Sequence, residues 1–222
     1  PGCPSWTGLE RTASIVGVVL VNMSVSVDGF GAGPDINPEQ PMGKGGERLH
    51  DWMFSTGDDR QVVAEGTSPA EVDAEIVQDL IASTGAVVVG RRTFDLGVGP
   101  WGDVPFPVPT IVLTHETHEP MPMRSGTFTF VTDGSSSAIR QARAAAGERN
   151  VLVMGGADCI RQALRSGLVD EIRLQLVPVL LGAGTRLFEP TPGAAQVELE
   201  RIEMPESAQV THLRYRVVKA AQ

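Results

Sequence analysis

Apolar, β-rich runs alternate with helix-patterned runs along most of this chain, and that alternation constrains its fold more than any other feature. IVGVVLVNMSV (15–25), AVVVG (86–90), PTIVLTH (109–115), TFTFVT (127–132), NVLVMGG (150–156) and DEIRLQLVPVLLG (170–182) read as strands. Between them PAEVDAEIVQDLIAST (69–84), SSSAIRQARAAAG (135–147) and ADCIRQALRSG (157–167) carry helical spacing, and the last two end in Gly147 and Gly167. The first of these opens on Pro69 after a possible Ser68 cap and puts Val72, Ile76 and Leu80, with Val77 and Ile81 beside them, on one stripe. Strand and helix in turn predict an α/β fold: a doubly wound, mostly parallel sheet with helices on both faces. VELERIEM (197–204) and QVTHLRYRVV (209–218) follow each other with no helix between, so an antiparallel C-terminal strand pair is expected.

Residues 1–14 lack periodicity and read as a disordered arm, which leaves 15–222 as a single domain. Within it, GFGAGPDINPEQPMGKGG (29–46) is a long Gly/Pro-rich loop, a type that is usually functional or mobile. ERLHDWMFS follows as a short helix with Leu49, Trp52 and Met53 on one side.

Composition excludes several functions. No apolar run approaches the ~18 residues of a membrane span, and no basic-then-apolar leader opens the chain. A net charge of −9 argues against nucleic acid as partner. Cys3 and Cys159 are too few and too far apart for a disulfide framework, and no zinc-type spacing of Cys or His occurs, so no metal is expected. The expected setting is the cytoplasm.

Against this acidic background two strand-to-helix junctions stand out. In VVVGRRTF (87–94), Gly90 ends a strand and Arg91, Arg92 and Thr93 open a helix, whose free N–H groups suit a phosphate. Read without its neighbours, the pair is equally a solvated basic turn; its place at the carboxyl end of a strand, where open α/β sheets bind ligands, favours the phosphate. In VLVMGGADCI (151–160), Gly155 and Gly156 precede Ala157, and two adjacent glycines let backbone approach a pyrophosphate. GVGPWG (97–102) matches the spacing of a dinucleotide fingerprint, but Pro100 and Trp101 lie inside it, and it reads as a proline-rich loop. NMSVSVDGF (22–30) and VLLGAGTRLFEP (179–190) are, by residue pattern, ordinary glycine turns after strands.

VSVDGF, VVVGRRTF, TIVLTH, VLVMGGA and PVLLGAGTRLF stand in one order. In that order the chain, from residue 15 to about 218, resembles the dihydrofolate-reductase-like superfamily, in particular the reductase domain of bacterial riboflavin biosynthesis and its stand-alone relatives. The resemblance implies NADPH as cofactor and a homodimer. It implies that Gly90, Arg91, Arg92 and Thr93 hold the 2′-phosphate and pyrophosphate and that Thr114 and His115 flank the adenosine. Gly155, Gly156 and Ala157 would pass under the pyrophosphate. Ser24 and Ser26 would sit near the nicotinamide and Asp28 near the substrate, and the GAGTRLF loop would support the mobile loop after Asp28. Dihydrofolate reductases carry a carboxylate on their first helix; the matching position here is His50, while Asp51 points away from the Leu49–Trp52–Met53 stripe.

The implied activity is hydride transfer from NADPH to a C=N or C=O of a small, heterocyclic, pyrimidine- or pterin-like substrate, with Asp28 or His50 relaying a proton. Two other readings belong to different classes: an NADP(H)-binding protein without turnover, and a flavin- or deazaflavin-linked oxidoreductase.

Overall fold

The computed structural model describes residues 17–53, 71–189, 196–204, 207 and 209–219. The proposed N-terminal arm, Ser68 and Pro69 lie outside them. In chain order the strands are β1 (Val19–Ser26), β2 (Phe30–Ala32), β3 (Thr84–Gly90), β4 (Thr110–Leu113), β5 (Met121–Pro122), β6 (Thr127–Val131), β7 (Asn150–Gly155), β8 (Glu171–Val177), β9 (Thr185–Arg186), β10 (Glu198–Glu203) and β11 (Thr211–Val218). The helices are α1 (Glu71–Ser83), α2 (Arg91–Trp101), α3 (Ser135–Ala146) and α4 (Ala157–Arg165).

Nine strands form one sheet in the order β10-β11-β8-β1-β7-β3-β4-β6-β5, and β2 pairs with β9 in a separate two-stranded ribbon. From β8 to β6 every pairing is parallel, while β11 joins β8 antiparallel and β10 joins β11 antiparallel. The doubly wound architecture and the C-terminal pair are therefore as the residue pattern predicts.

Alternation along the central strands assigns the faces. Val19, Val21, Val88, Val151 and Val153 pack with Ile139 of α3 and Ile160 of α4. The intervening Leu20, Val87 and Leu152 pack with Leu80 of α1, and Val89 and Val112 with Phe94 of α2. Thus α3 and α4 cover one face, α1 and α2 the other. No helix among the described residues is long and apolar enough to cross a membrane.

Three local expectations need correction. GVGPWG is not a proline-rich loop: Gly97, Gly99, Pro100 and Trp101 complete α2, which stops at Gly102 with φ 61°. Gly97 is buried against the Trp101 ring, where a Cβ would lie 2.3 Å from it, and Pro100 falls in the last turn where the helix is ending anyway. ERLHDWM forms two 3₁₀ turns, Gly46–Leu49 and Asp51–Met53, rather than one helix. The buried face of α1 is Asp73, Ala74, Val77 and Leu80, and Ile81 is 40% exposed.

That shift has a cause beneath the helix. On the α1 side, β1, β8 and β11 are polar: Ser24 pairs with Gln175 and Gln175 with His212, all three buried. Asp73 of α1 meets His212 at 2.7 Å and Asp79 meets Arg173 at 3.1 Å. Asp73 turns inward because its partner is there, while Asp79 reaches Arg173 from the exposed edge of the helix.

Ile139→Ala, which empties a fully buried site, is expected to lower unfolding free energy by about 2–5 kcal/mol. Ile81→Ala is expected to stay within about 0.5 kcal/mol. Urea titration of both variants checks the assignment of faces.

Candidate functional site

β3 and β7 are adjacent and parallel, with Val89 opposite Gly155. The helix after β3 goes to one face of the sheet and the helix after β7 to the other, and this arrangement opens a crevice at the carboxyl ends of the strands. Here it is a cavity of about 610 Å³, a size that suits a small-molecule or cofactor site.

Gly90, Arg91, Arg92 and Thr93 line it from the start of α2. Gly155, Gly156 and Ala157 line it from the start of α4. Thr114 and His115 contribute from the end of β4, Ser24 from β1, and His50 from the 3₁₀ segment. Ser26 and Asp28 do not line it.

The two helix starts touch. A Cβ on Gly90 would lie 3.2 Å from Cys159 Cβ and 3.6 Å from Gly156 N; one on Gly156 would lie 3.0 Å from Thr93 Oγ1. Gly155 has φ +129°, a conformation that side chains rarely adopt. Neither helix has a side-chain cap, so two sets of first-turn N–H groups face one crevice with the positive ends of both helix dipoles. Such an arrangement suits an anion.

The adjacent arginines differ in their surroundings. Arg91 Nε donates to Asp95 Oδ1 at 2.7 Å, and its Nη1 reaches Glu116 Oε2 at 3.3 Å and contacts His118. The Asp95 hydrogen bond, more than any other contact, raises its pKa above the ordinary arginine value. His118 in turn lies 4.9 Å from the Phe130 ring. Arg91 therefore ties the loop after β4 to α2. Arg92 is exposed and has no ion pair or side-chain hydrogen bond among the described residues. Asp95 was visible in sequence at i+4 from Arg91; Glu116 was not, because it arrives from another strand.

Arg161 of α4 also lines the cavity, and the residue pattern gave no reason to single it out. It is held by Asp158 Oδ1 at 2.7 Å and the Arg186 carbonyl at 3.0 Å. Cys159, behind Gly90, has a thiol whose pKa is pushed up to about 12, first by burial and then by Asp158.

Asp28 sits at the junction of two loops. Its carboxylate accepts from Ser26 Oγ at 2.6 Å, Leu181 N at 3.2 Å and Gly182 N at 2.7 Å, and Arg186 donates to its carbonyl at 3.1 Å. The Ser26 bond above all, with the two amides and against some burial, holds its pKa below the usual carboxylate value. The β2–β9 ribbon and Arg186, 4.6 Å above the Phe30 ring, complete this support by the GAGTRLF segment.

Asp51 is exposed, with Arg48 3.6 Å away. His50 lines the cavity, and its Nδ1 is buried without a hydrogen-bond partner among the described residues. Burial lowers its pKa below the ordinary histidine value, outweighing the Gly46 backbone and Asp51, which act the other way. Among the described residues no cluster of His, Cys, Asp and Glu is placed to hold a metal ion.

Comparison with known proteins agrees with this frame. Residues 18–211 match the model of the RibD C-terminal domain. A putative riboflavin biosynthesis protein from Shewanella sp. PV-4 superposes with a TM-score of 0.63 at 22% identity, over 90% of this chain and 99% of that one. A pyrimidine reductase-like protein from Corynebacterium diphtheriae gives 0.61 at 15% identity, over 97% of each. A deaminase/reductase of Thermotoga maritima gives 0.59 at 12% identity, over 91% of this chain and 57% of that one. At these identities the structural likenesses bear on the fold. Among curated proteins, none matches the chain in sequence.

Because the folded His50 binds its proton at lower pH than the unfolded one, unfolding takes up a proton below the ordinary histidine value of about 6.5. The stability His50 contributes is thus present above that pH and is lost as pH falls toward the folded value. His50→Gln is expected to flatten this acid-side loss, by at most about 1.4 kcal/mol per pH unit. Urea unfolding at a series of pH values from 7 to 5 checks it; identical slopes in both proteins would contradict it.

Proposed function

The chain belongs to the family of the RibD C-terminal domain, and on that premise we propose that it is an NADPH-dependent reductase of a small heterocyclic substrate with a reducible C=N or C=O. The observation that carries the reading is the meeting of two uncapped helix N-termini at Gly90 and Gly156 beside Arg92, which has no partner among the described residues.

The residues fit a dinucleotide. The N–H groups at the starts of α2 and α4 would bind its pyrophosphate, with room that only glycine leaves at 155 and 156. Arg92 would grip the 2′-phosphate, and the Arg91-pinned loop with Thr114 and His115 would flank the adenosine. Bound NADPH would supply the hydride. Ser24 and His50 would face the substrate. At neutral pH His50 presents a neutral imidazole, able to hold a substrate N or O by a hydrogen bond. Asp28, with its carboxylate oxygens engaged by the Leu181 and Gly182 amides, would serve as the post of the 179–184 loop, leaving His50 as the candidate proton relay.

Arg92→Ala is expected to weaken NADPH binding by about ten- to a hundredfold, the loss of about 1.5–3 kcal/mol of charge-assisted bonding, and to leave NADH binding unchanged. Arg91→Ala is expected to weaken both nucleotides, since it releases a wall shared by them. Fluorescence titration of the three proteins with each nucleotide decides this, followed by NADPH oxidation against pterin, pyrimidine and flavin compounds. Equal binding of both nucleotides by the parent protein would end the NADPH reading. Tight NADPH binding without oxidation across the panel would make the chain a binding protein.

A further inference from the structure

His50 and Met53 line the cavity from a segment with little rigidity of its own. It consists of two 3₁₀ turns of four and three residues, after a Gly/Pro-rich stretch, and such turns are too short to hold a side chain in register. Something outside the segment must fix it.

Trp52 lies between the two lining residues and faces the other way, 3% exposed. Its Nε1–H donates to Ser24 Oγ of β1 at 2.9 Å. Its ring meets the His212 ring edge-on, centroids 5.2 Å apart at 76°. His212 on β11 is also held by Asp73 of α1, Nε2 to Oδ1 at 2.7 Å, and both side chains are almost wholly buried. A carboxylate oxygen accepts, so in this contact the Nε2–H of His212 donates to Asp73. Among the described residues Asp73 Oδ2 and His212 Nδ1 have no partner. Two apolar side chains of similar volume would avoid those unpaired atoms, so packing alone does not account for this pair. What it adds is direction: the fixed donor sets the ring plane of His212, and that plane sets the face offered to Trp52.

We propose that Asp73 and His212 are positioning residues, which through Trp52 hold His50 and Met53 in the cavity wall. The pair thus couples α1 and the sheet edge to the shape of the site without touching a ligand. Only its consequence for turnover rests on the reductase reading above.

The test uses the whole chain with ¹⁵N-labelled indoles and ¹³C-labelled methionine methyls, with Trp52→Phe and Met53→Leu to assign signals. Asp73→Asn keeps an oxygen to accept from His212, whereas Asp73→Leu keeps the branched skeleton, in a bulkier side chain, and has no acceptor. The Trp52 indole and Met53 methyl signals are expected to stay in place in the Asn variant and to shift in the Leu variant, with the Trp101 indole unmoved in both. Should the Leu variant fail to fold, His212→Gln keeps an N–H for Asp73 and removes the ring, and it is expected to shift both signals. Unmoved signals in Asp73→Leu or in His212→Gln, or equal shifts in the Asn and Leu variants, would overturn the proposal. Failure of the parent protein to bind NADPH would count against the reductase reading and leave these signals unaffected.

Discussion

The close approach of two helix starts at the ends of β3 and β7 is the constraint around which the rest of the site is arranged. Parallel neighbours whose helices leave to opposite faces open a crevice, but the crevice is narrow only if the turns nearly touch. Gly90 and Gly156 allow that, since a Cβ at either would crowd Cys159 or Thr93. The same close approach of the two turns also points both sets of free N–H groups into one cavity. The packing of the turns and the convergence of their N–H groups therefore have one cause.

The second organising feature is a polar floor on one side of the sheet. Asn22, Ser24, Arg173, Gln175 and His212 lie on the face that α1 covers. Such groups are costly to bury unless paired, and most of them are. Gln175 donates to Asn22 at 3.0 Å. Glu171 takes Arg173 at 2.6 Å and Arg214 at 2.7 Å. Burial alone would push Glu171 up, yet the hydrogen bonds from Arg214 and Arg173 outweigh it and hold the carboxyl below its ordinary range. This floor decides which face of α1 turns inward, and through Trp52 it reaches the cavity.

Much of this was legible in the residues because period and punctuation are local. Strands with runs of Val and Ile, glycine at the helix ends and the GRRT and GGA junctions all declare themselves within ten residues, and the cavity gathers every expected site residue except Ser26 and Asp28. What was not legible depends on contacts between distant segments. The inward turn of Asp73 needs His212, 139 positions away. The capture of Arg91 needs Glu116, and the engagement of Asp28 needs Leu181 and Gly182. GVGPWG misled because its glycine serves a ring four residues on, a packing role that no spacing rule separates from a turn.

The claim that the two helix starts form one pyrophosphate cradle is tested most directly by backbone amide NMR during addition of NADP⁺. The amides of Arg92, Thr93, Gly156 and Ala157 are expected to shift together and to saturate along one binding curve. Shifts confined to one of the two helix starts, or saturation at different concentrations for the two, would contradict it.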